Sequence, residues 1–336
     1  MTPSLPTPFT ARAGADSDLH AVLALQRLFD REAYGAEVHP PTVLRTRWTL
    51  PDVDPQQDAI MVQAPDRSLV GYEFVFNAAP FVRPSMSGAV HPQHHRRGIG
   101  CFLVHWAERR ARQRLPAAPE GARVVLCNWS CSGHPPTATL LEDLGMQVRR
   151  HLYLMAREMD TPPERPNWPP NLELRAFKPD EHDLIVFRAM RDSFRDHWGH
   201  IERPFDEEYR RWRHRLDRDP NVEPGLWFIA WDGKEVAGIC LCWPRADEDP
   251  EMGFVNVLGV RRAWRGRGLG LALLLHSFGV FWGRGMRKVG LGVDAGNLTG
   301  ALRLYRRAGM QVLRVHDFHE KELRPGRELR RESLSE

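Results

Sequence analysis

The chain has 336 residues, 42% of them hydrophobic and 27% charged, the balance of a folded globular protein with room for two domains. A net charge of +4 rests on arginines scattered along helices or gathered in two glycine-rich turns, so the basic face with stacking aromatics of a nucleic-acid binder is not expected. No apolar run approaches a membrane span, Met1 to Gly14 lacks the layout of a signal peptide, and five cysteines, an odd number, argue against a disulfide framework; a cytoplasmic protein that avoids membranes is expected.

Periodicity and turn signals give the elements in order. In the first half, strand Phe9 to Arg12 precedes a helix from Ser17 to Tyr34. Strands follow at Ile60 to Ala64, Leu69 to Ala78 and Ser87 to His91, then a helix from Gly98 to Arg114. Strand Arg123 to Asn128, helix Pro136 to Leu144 and strand Val148 to Met159 close this half. Residues 160–171 hold five prolines in twelve positions, which forbids continued helix or central strand and marks a linker.

The second half reads alike. Strand Leu172 to Ala176 leads to helices near Glu181 to Arg191 and Phe205 to Leu216. A hairpin joins Trp227 to Trp231 with Lys234 to Trp243 through Asp232-Gly233, a strong two-residue turn signal. Strand Met252 to Val260, an amphipathic helix over 268–284, strand 288–293, helix 298–308 and strand 311–319 complete it, leaving a charged tail. Arg97-Gly98-Ile99-Gly100 parallels Arg267-Gly268-Leu269-Gly270, and Gly145-Met146-Gln147-Val148 recurs letter for letter as Gly309-Met310-Gln311-Val312. The chain thus reads as two copies of one α/β domain, with boundaries at 1–160, a linker at 161–171, a second domain at 172–322 and the tail at 323–336.

The turn after strand Met252 to Val260 is built to hold phosphate. The N–H groups of Gly266, Arg267, Gly268, Leu269 and Gly270 lie at a helix start, where the dipole is positive, while Arg265 and Arg267 add charge-assisted bonds. A Walker loop is excluded because no Gly-Lys-Ser/Thr ending is present. A dinucleotide fingerprint starts at Gly266 and Gly268 but meets Leu271 where a third small residue belongs, and Gly290-x-Gly292-x-x-Ala295 follows a basic stretch rather than an apolar strand. Arg265-x-x-Gly268-x-Gly270 fits R/Q-x-x-G-x-G/A, and Asn297-x3-Ala301-x3-Tyr305-x3-Gly309-Met310 follows it in order.

These two motifs resemble those of the GCN5-related N-acetyltransferases, whose loop wraps the pyrophosphate of acetyl-CoA. The resemblance implies two tandem domains of that fold, each a mixed, mostly antiparallel central sheet flanked by helices. It implies transfer of an acetyl group from acetyl-CoA to the amine of a small molecule, amino sugar or peptide, with Tyr305 as the acid that protonates the departing thiolate. Asn297 and Ala301 would meet the pantetheine arm, and Leu258, Gly259 and Val260 would offer an N–H beside the thioester. The first copy keeps Gly98-x-Gly100 but has His95 for the Arg, Gly133 for the Asn, Thr137 for the Ala and Leu141 for the Tyr. A non-catalytic role is expected for it.

The amine must be neutral to attack, and an alkylamine titrates near pH 10.4, so a base or a desolvating pocket is required. No carboxylate lies within 254–260. Glu251, directly or through a water on Asn256, is the candidate base; Asp294 ends the next strand and is the candidate cap of helix 298–308. Asp196, His197 and Trp198 stand where the acceptor is expected to bind. A metal is not expected, because Cys127-x3-Cys131-x2-His134, Cys240-x-Cys242 and the group His91, His94, His95 lack the paired spacing of a zinc site. An acyl-CoA-binding sensor without turnover is the competing reading.

Overall fold

The computed structural model describes residues 4–39, 41–50, 53–246, 249–297 and 300–331. The first elements are β1 Thr10–Ala13, α1 Leu19–Tyr34, α2 Pro41–Trp48, α3 Pro55–Asp58, β2 Ala59–Gln63, β3 Leu69–Phe76, β4 Ser85–Val90, α4 Ile99–Gln113, β5 Val124–Cys131, α5 Pro135–Asp143 and β6 Gln147–Glu158. After the proline-rich segment come β7 Leu172–Ala176, α6 Asp183–Phe194, α7 Phe205–Arg218, β8 Trp227–Asp232, β9 Glu235–Trp243, β10 Met252–Val260, α8 Leu269–Gly283, β11 Lys288–Asp294, α9 Ala301–Arg307 and β12 Gln311–Arg324. The expected helix 298–308 begins on residues outside the described ones and is helical from Ala301.

Two compact units result, but they do not follow the linear division at 160–171. The first comprises the chain up to His151 together with His316–Leu329; the second comprises Leu152–Val315 and the chain from Arg330. The last strand of each half has crossed over. In the first unit β5 pairs antiparallel with β12 from His316 to Arg324, and in the second β11 pairs antiparallel with β6 from Leu152 to Glu158. The sequences of β6 and β12 both mix apolar and charged residues. The expected tail from 323 is likewise corrected. Arg324 donates to the Ala122 carbonyl, Arg123 bonds Glu328, and Arg330 is buried.

Each unit is a mixed, mostly antiparallel sheet with one parallel pair. In the first unit the order is β1-β2-β3-β4-β5-β12, and in the second β6-β11-β10-β9-β8-β7. Helices cover both faces. In the second unit a Cβ built on Gly238 would meet Leu269 and Leu273 of α8 at 3.1 Å, whereas one on Gly259 would meet Ser193 of α6 at 2.9 Å. Gly259 pairs with Ile239, the neighbour of Gly238, so α6 and α8 lie on opposite faces.

Helix α8 is not amphipathic as expected. Leu269, Ala272, Leu273, Leu274, Leu275, Phe278 and Phe281 are all buried, the pattern of a helix enclosed on most sides. Phe281 fits against β10 because residue 253 is glycine; a Cβ there would lie 2.5 Å from the ring. Full burial of a Phe side chain is worth about 1.5–3 kcal/mol, so α8 anchors the unit and fixes the turn at its N-terminus.

Candidate active site

Strand β10 opens the cleft by leaving its parallel partner. It pairs with β11 only from Met252↔Lys288 to Phe254↔Gly290. Against β9 the register shifts between Val255 and Val257, so Asn256 is a bulge. A bulge bends and twists its strand. Beyond it, Leu258, Gly259 and Val260 line a cleft of about 830 Å3, together with the turn 264–270 and Ala301, Leu304 and Tyr305 of α9.

The turn takes the conformation that its glycines allow. Gly268 caps α8 in the left-handed region at φ 85° and Gly266 lies at φ 75°. A Cβ at either position would meet nothing within 4 Å, so the surface over both is open to an anion at the helix N-terminus. Gly270 has a different duty. A Cβ there would lie 2.9 Å from Leu304, so the third glycine brings α8 against α9 and places Tyr305.

Arg265, expected from sequence to meet the pyrophosphate, lines the cleft and braces it from within. Its Nε donates to the Val260 carbonyl at 3.0 Å, Nη1 to Asp196 Oδ2 at 2.6 Å and Nη2 to the Ser193 carbonyl at 2.9 Å. Asp196, the expected acceptor-binding carboxylate, is fully buried by the same network. Arg262 Nη2 donates to its Oδ1 at 2.7 Å and Arg331 lies 3.5 Å from that oxygen. A paired buried carboxylate of this kind holds a loop in place and does not meet a ligand. Backbone bonds from Gly199 to Arg331 and from Arg331 to His200 fasten that loop further. Trp198 carries the Arg330 guanidinium 5.4 Å over its ring and is not among the residues lining the cleft.

His197 does reach the cleft. Burial, and then the positive charge of Arg265, push its pKa down to about 4, so its imidazole is neutral near pH 7. Ser193 also lines the cleft, with a buried Oγ that has no hydrogen-bond partner among the described residues. Tyr305 is 8% exposed, and burial, followed by the nearby Cys240, pushes its pKa up to about 12. The phenol therefore keeps its proton throughout the neutral range.

Three expected positions fall elsewhere. Glu251 is exposed at the far end of β10 from the cleft, in a turn where its N–H donates to Asp249 Oδ1 at 3.1 Å. Asn297 precedes α9 and accepts from the Ala301 N–H at 3.2 Å, so it ties the first turn from outside the helix and shares no helix face with Ala301 and Tyr305. Asp294 accepts from Gly296 N–H at 2.7 Å, closing the turn after β11, while Gly300 is the N-cap of α9.

The cleft lining also holds what sequence reading missed. Arg165, Arg303 and Arg307 line it beside the expected Arg267, and none of the four forms an ion pair with a described carboxylate. Among the described residues no Asp or Glu lines it. Trp168, Pro169 and Pro170 of the supposed linker form one wall. Among the described residues no three His, Cys, Asp or Glu side chains are grouped for a metal, and no helix is long and apolar enough to cross a membrane.

The first unit has its own cavity, of about 290 Å3. Leu141 stands there where the second unit has Tyr305, and buried Glu73 lines it, its pKa pushed up to about 8 by burial.

Comparison with known proteins agrees with this architecture. The family described as "Acetyltransferase (GNAT) family" matches residues 186–310. A mycothiol acetyltransferase of Salinispora arenicola is 31% identical, over 82% of this chain and 84% of its own. Another, from Streptomyces scabiei, is 30% identical over 72% of each. A GCN5-related N-acetyltransferase from Sphaerobacter thermophilus superposes with a TM-score of 0.77 at 33% identity, over 97% of this chain and 99% of its own. A tandem GNAT protein from the clavulanic acid biosynthesis pathway shares the fold at 18% identity, with a TM-score of 0.68 over 95% of this chain and 99% of its own. With two sheets of one topology, a glycine turn at a helix start and relatives spanning most of the chain, the protein belongs to the GCN5-related N-acetyltransferase family and is a tandem acetyltransferase that resembles mycothiol synthase.

Proposed function

We propose that the second unit moves the acetyl group of acetyl-CoA directly onto a primary amine, and that the first unit is non-catalytic. What carries this reading is the single cleft that joins an open anion seat at 266–268, a strand edge released by the Asn256 bulge, and the buried hydroxyl-bearing side chain of Tyr305. The pyrophosphate sits on the turn, with Arg267 beside it. The thioester lies along 258–260, where an N–H of the strand edge no longer bonded to β11 meets the developing oxyanion. The neutral amine forms the C–N bond and sheds its proton to solvent. The C–S bond breaks, the thiolate takes the proton of Tyr305, and the phenolate regains one from solvent. Burial pushes the phenol up to about 12, and the same desolvation raises the basicity of the departing thiolate that takes its proton.

Relatives named mycothiol acetyltransferases support a small-molecule amine as acceptor. With no carboxylate among the described residues of the cleft lining, neutral His197 and Ser193 Oγ orient the amine, and its deprotonation is left to desolvation and pH. Calorimetry with acetyl-CoA is expected to give one site per chain. Tyr305→Phe is expected to lower kcat about 100-fold with little change in acetyl-CoA affinity. Unchanged turnover would sink the acid assignment, and failure to bind acetyl-CoA would sink the cofactor reading.

A further inference from the structure

The proline-rich segment between β6 and β7 is part of the cleft. Arg165, Asn167, Trp168, Pro169 and Pro170 line it, opposite Leu271, Ala272 and Leu275 of α8. Trp168 packs against the core of the second unit and meets His276 of α8 edge-on, with ring centroids 5.8 Å apart. Residues 166, 169 and 170 are prolines, whose fixed φ makes this wall stiff, so little further entropy is lost when a ligand lies against it.

The charges of this wall call for a partner. Arg165 is exposed and unpaired among the described residues, whereas its neighbour Glu164 lies 3.5 Å from Arg157. CoA brings three phosphate groups, and the turn at 266–270 with Arg267 accounts for the two of its pyrophosphate. Leu275 lies seven residues beyond Gly268, about 10 Å further along the α8 axis, a span suited to a nucleoside. Arg303 and Arg307 are on α9 with Tyr305, on the side of the pantetheine arm.

Resting on the acetyl-CoA reading, we infer that the segment 165–170 is the nucleotide-selecting wall of the site. Arg165 binds the 3′-phosphate of the adenosine, and Trp168 backs the adenine. The segment that looked like a spacer therefore sets which form of the cofactor is accepted.

The test compares CoA with 3′-dephospho-CoA, by calorimetry on the full chain. The parent is expected to prefer CoA by tenfold or more, about the worth of one charge-assisted hydrogen bond. Arg165→Ala is expected to bring the two affinities within about twofold by weakening CoA alone, and Trp168→Ala to weaken both ligands by the same factor. A preference for CoA that persists in Arg165→Ala overturns the inference, as does a parent that binds both forms equally. A loss of preference in Arg307→Ala but not in Arg165→Ala places the phosphate on α9 and overturns it too. A parent that binds neither ligand removes the acetyl-CoA reading itself, an outcome distinct from the other three.

Discussion

The two units bend the chain in the same way after their central strands, yet only one leaves the bend open. Gly98 and Gly268 both cap a helix in the left-handed region, at φ 78° and 85°. His95 Nε2 lies 3.0 Å from the Val90 carbonyl, as Arg265 Nε lies 3.0 Å from that of Val260, so the residue three before the capping glycine ties down the strand end in each. Above the turn they part. A Cβ on Gly98 would stand 2.9 Å from Pro6, while one on Gly268 meets nothing. The first unit's own N-terminal segment lies where a pyrophosphate would rest. The strands differ as well. β4 pairs with β3 without interruption from Ser85 to Val90, while β10 carries the bulge at Asn256. Retaining the glycines preserved the bend; the site needs the space above it and the bulge before it.

The strongest way to break this comparison is to fill both turns. Gly268→Val places a β-branched side chain at positive φ in the open seat. It is expected to weaken acetyl-CoA binding more than 100-fold by calorimetry. Gly98→Val meets Pro6 and the same backbone strain, so it is expected to cost about 1–3 kcal/mol of stability and leave the acetyl-CoA affinity of the folded protein unchanged. If Gly98→Val abolished binding, the cofactor would belong to the first unit.

Acid offers a second handle. His197 titrates near 4 in the fold and near 6.5 in an unfolded chain, so the unfolded state takes up a proton first as pH falls. The stability contributed by its neutral burial is complete above pH 6.5 and is lost progressively down to about pH 4, by up to about 3 kcal/mol. Thermal melts of parent and His197→Gln are expected to diverge across that window, and parallel curves would contradict the burial of this imidazole.

The mildest change exchanges the two solutions. Arg265→His copies the first unit's tie and is expected to keep acetyl-CoA affinity within about tenfold. It should lower stability by about 1–3 kcal/mol, because Asp196 and the Ser193 carbonyl each lose a donor. A far larger loss of affinity would mean that Arg265 meets the phosphates after all.

Most of the fold was legible in the sequence because its signals are local. Alternation set strands such as β7 and β10 to the residue, and glycine spacing set the turn and Tyr305. The failures involve partners distant along the chain. Asp196 reads as a polar residue in an aromatic loop until Arg262, Arg265 and Arg331 fold onto it. The bulge at Asn256 depends on the register with β9, which one strand's pattern does not contain. Prolines mark 160–171 as irregular but say nothing about what the segment leans on. Helix α2 was missed because it opens at a Pro-rich stretch and buries only Leu44 and Trp48.

The crossed final strands have a consequence for how the protein comes into being. The first unit needs residues 316–324 to pair with β5, and these are made only after every strand of the second unit. For most of synthesis its sheet carries an exposed edge at β5, so a nascent chain stopped anywhere in the second half presents an open strand to any passing partner. A gene fragment ending at the proline-rich segment would inherit the same defect permanently. The dependence is one-sided: every strand of the second unit falls between β6 and β11, whereas the sheet of the first lacks its last strand until residues 316–324 arrive.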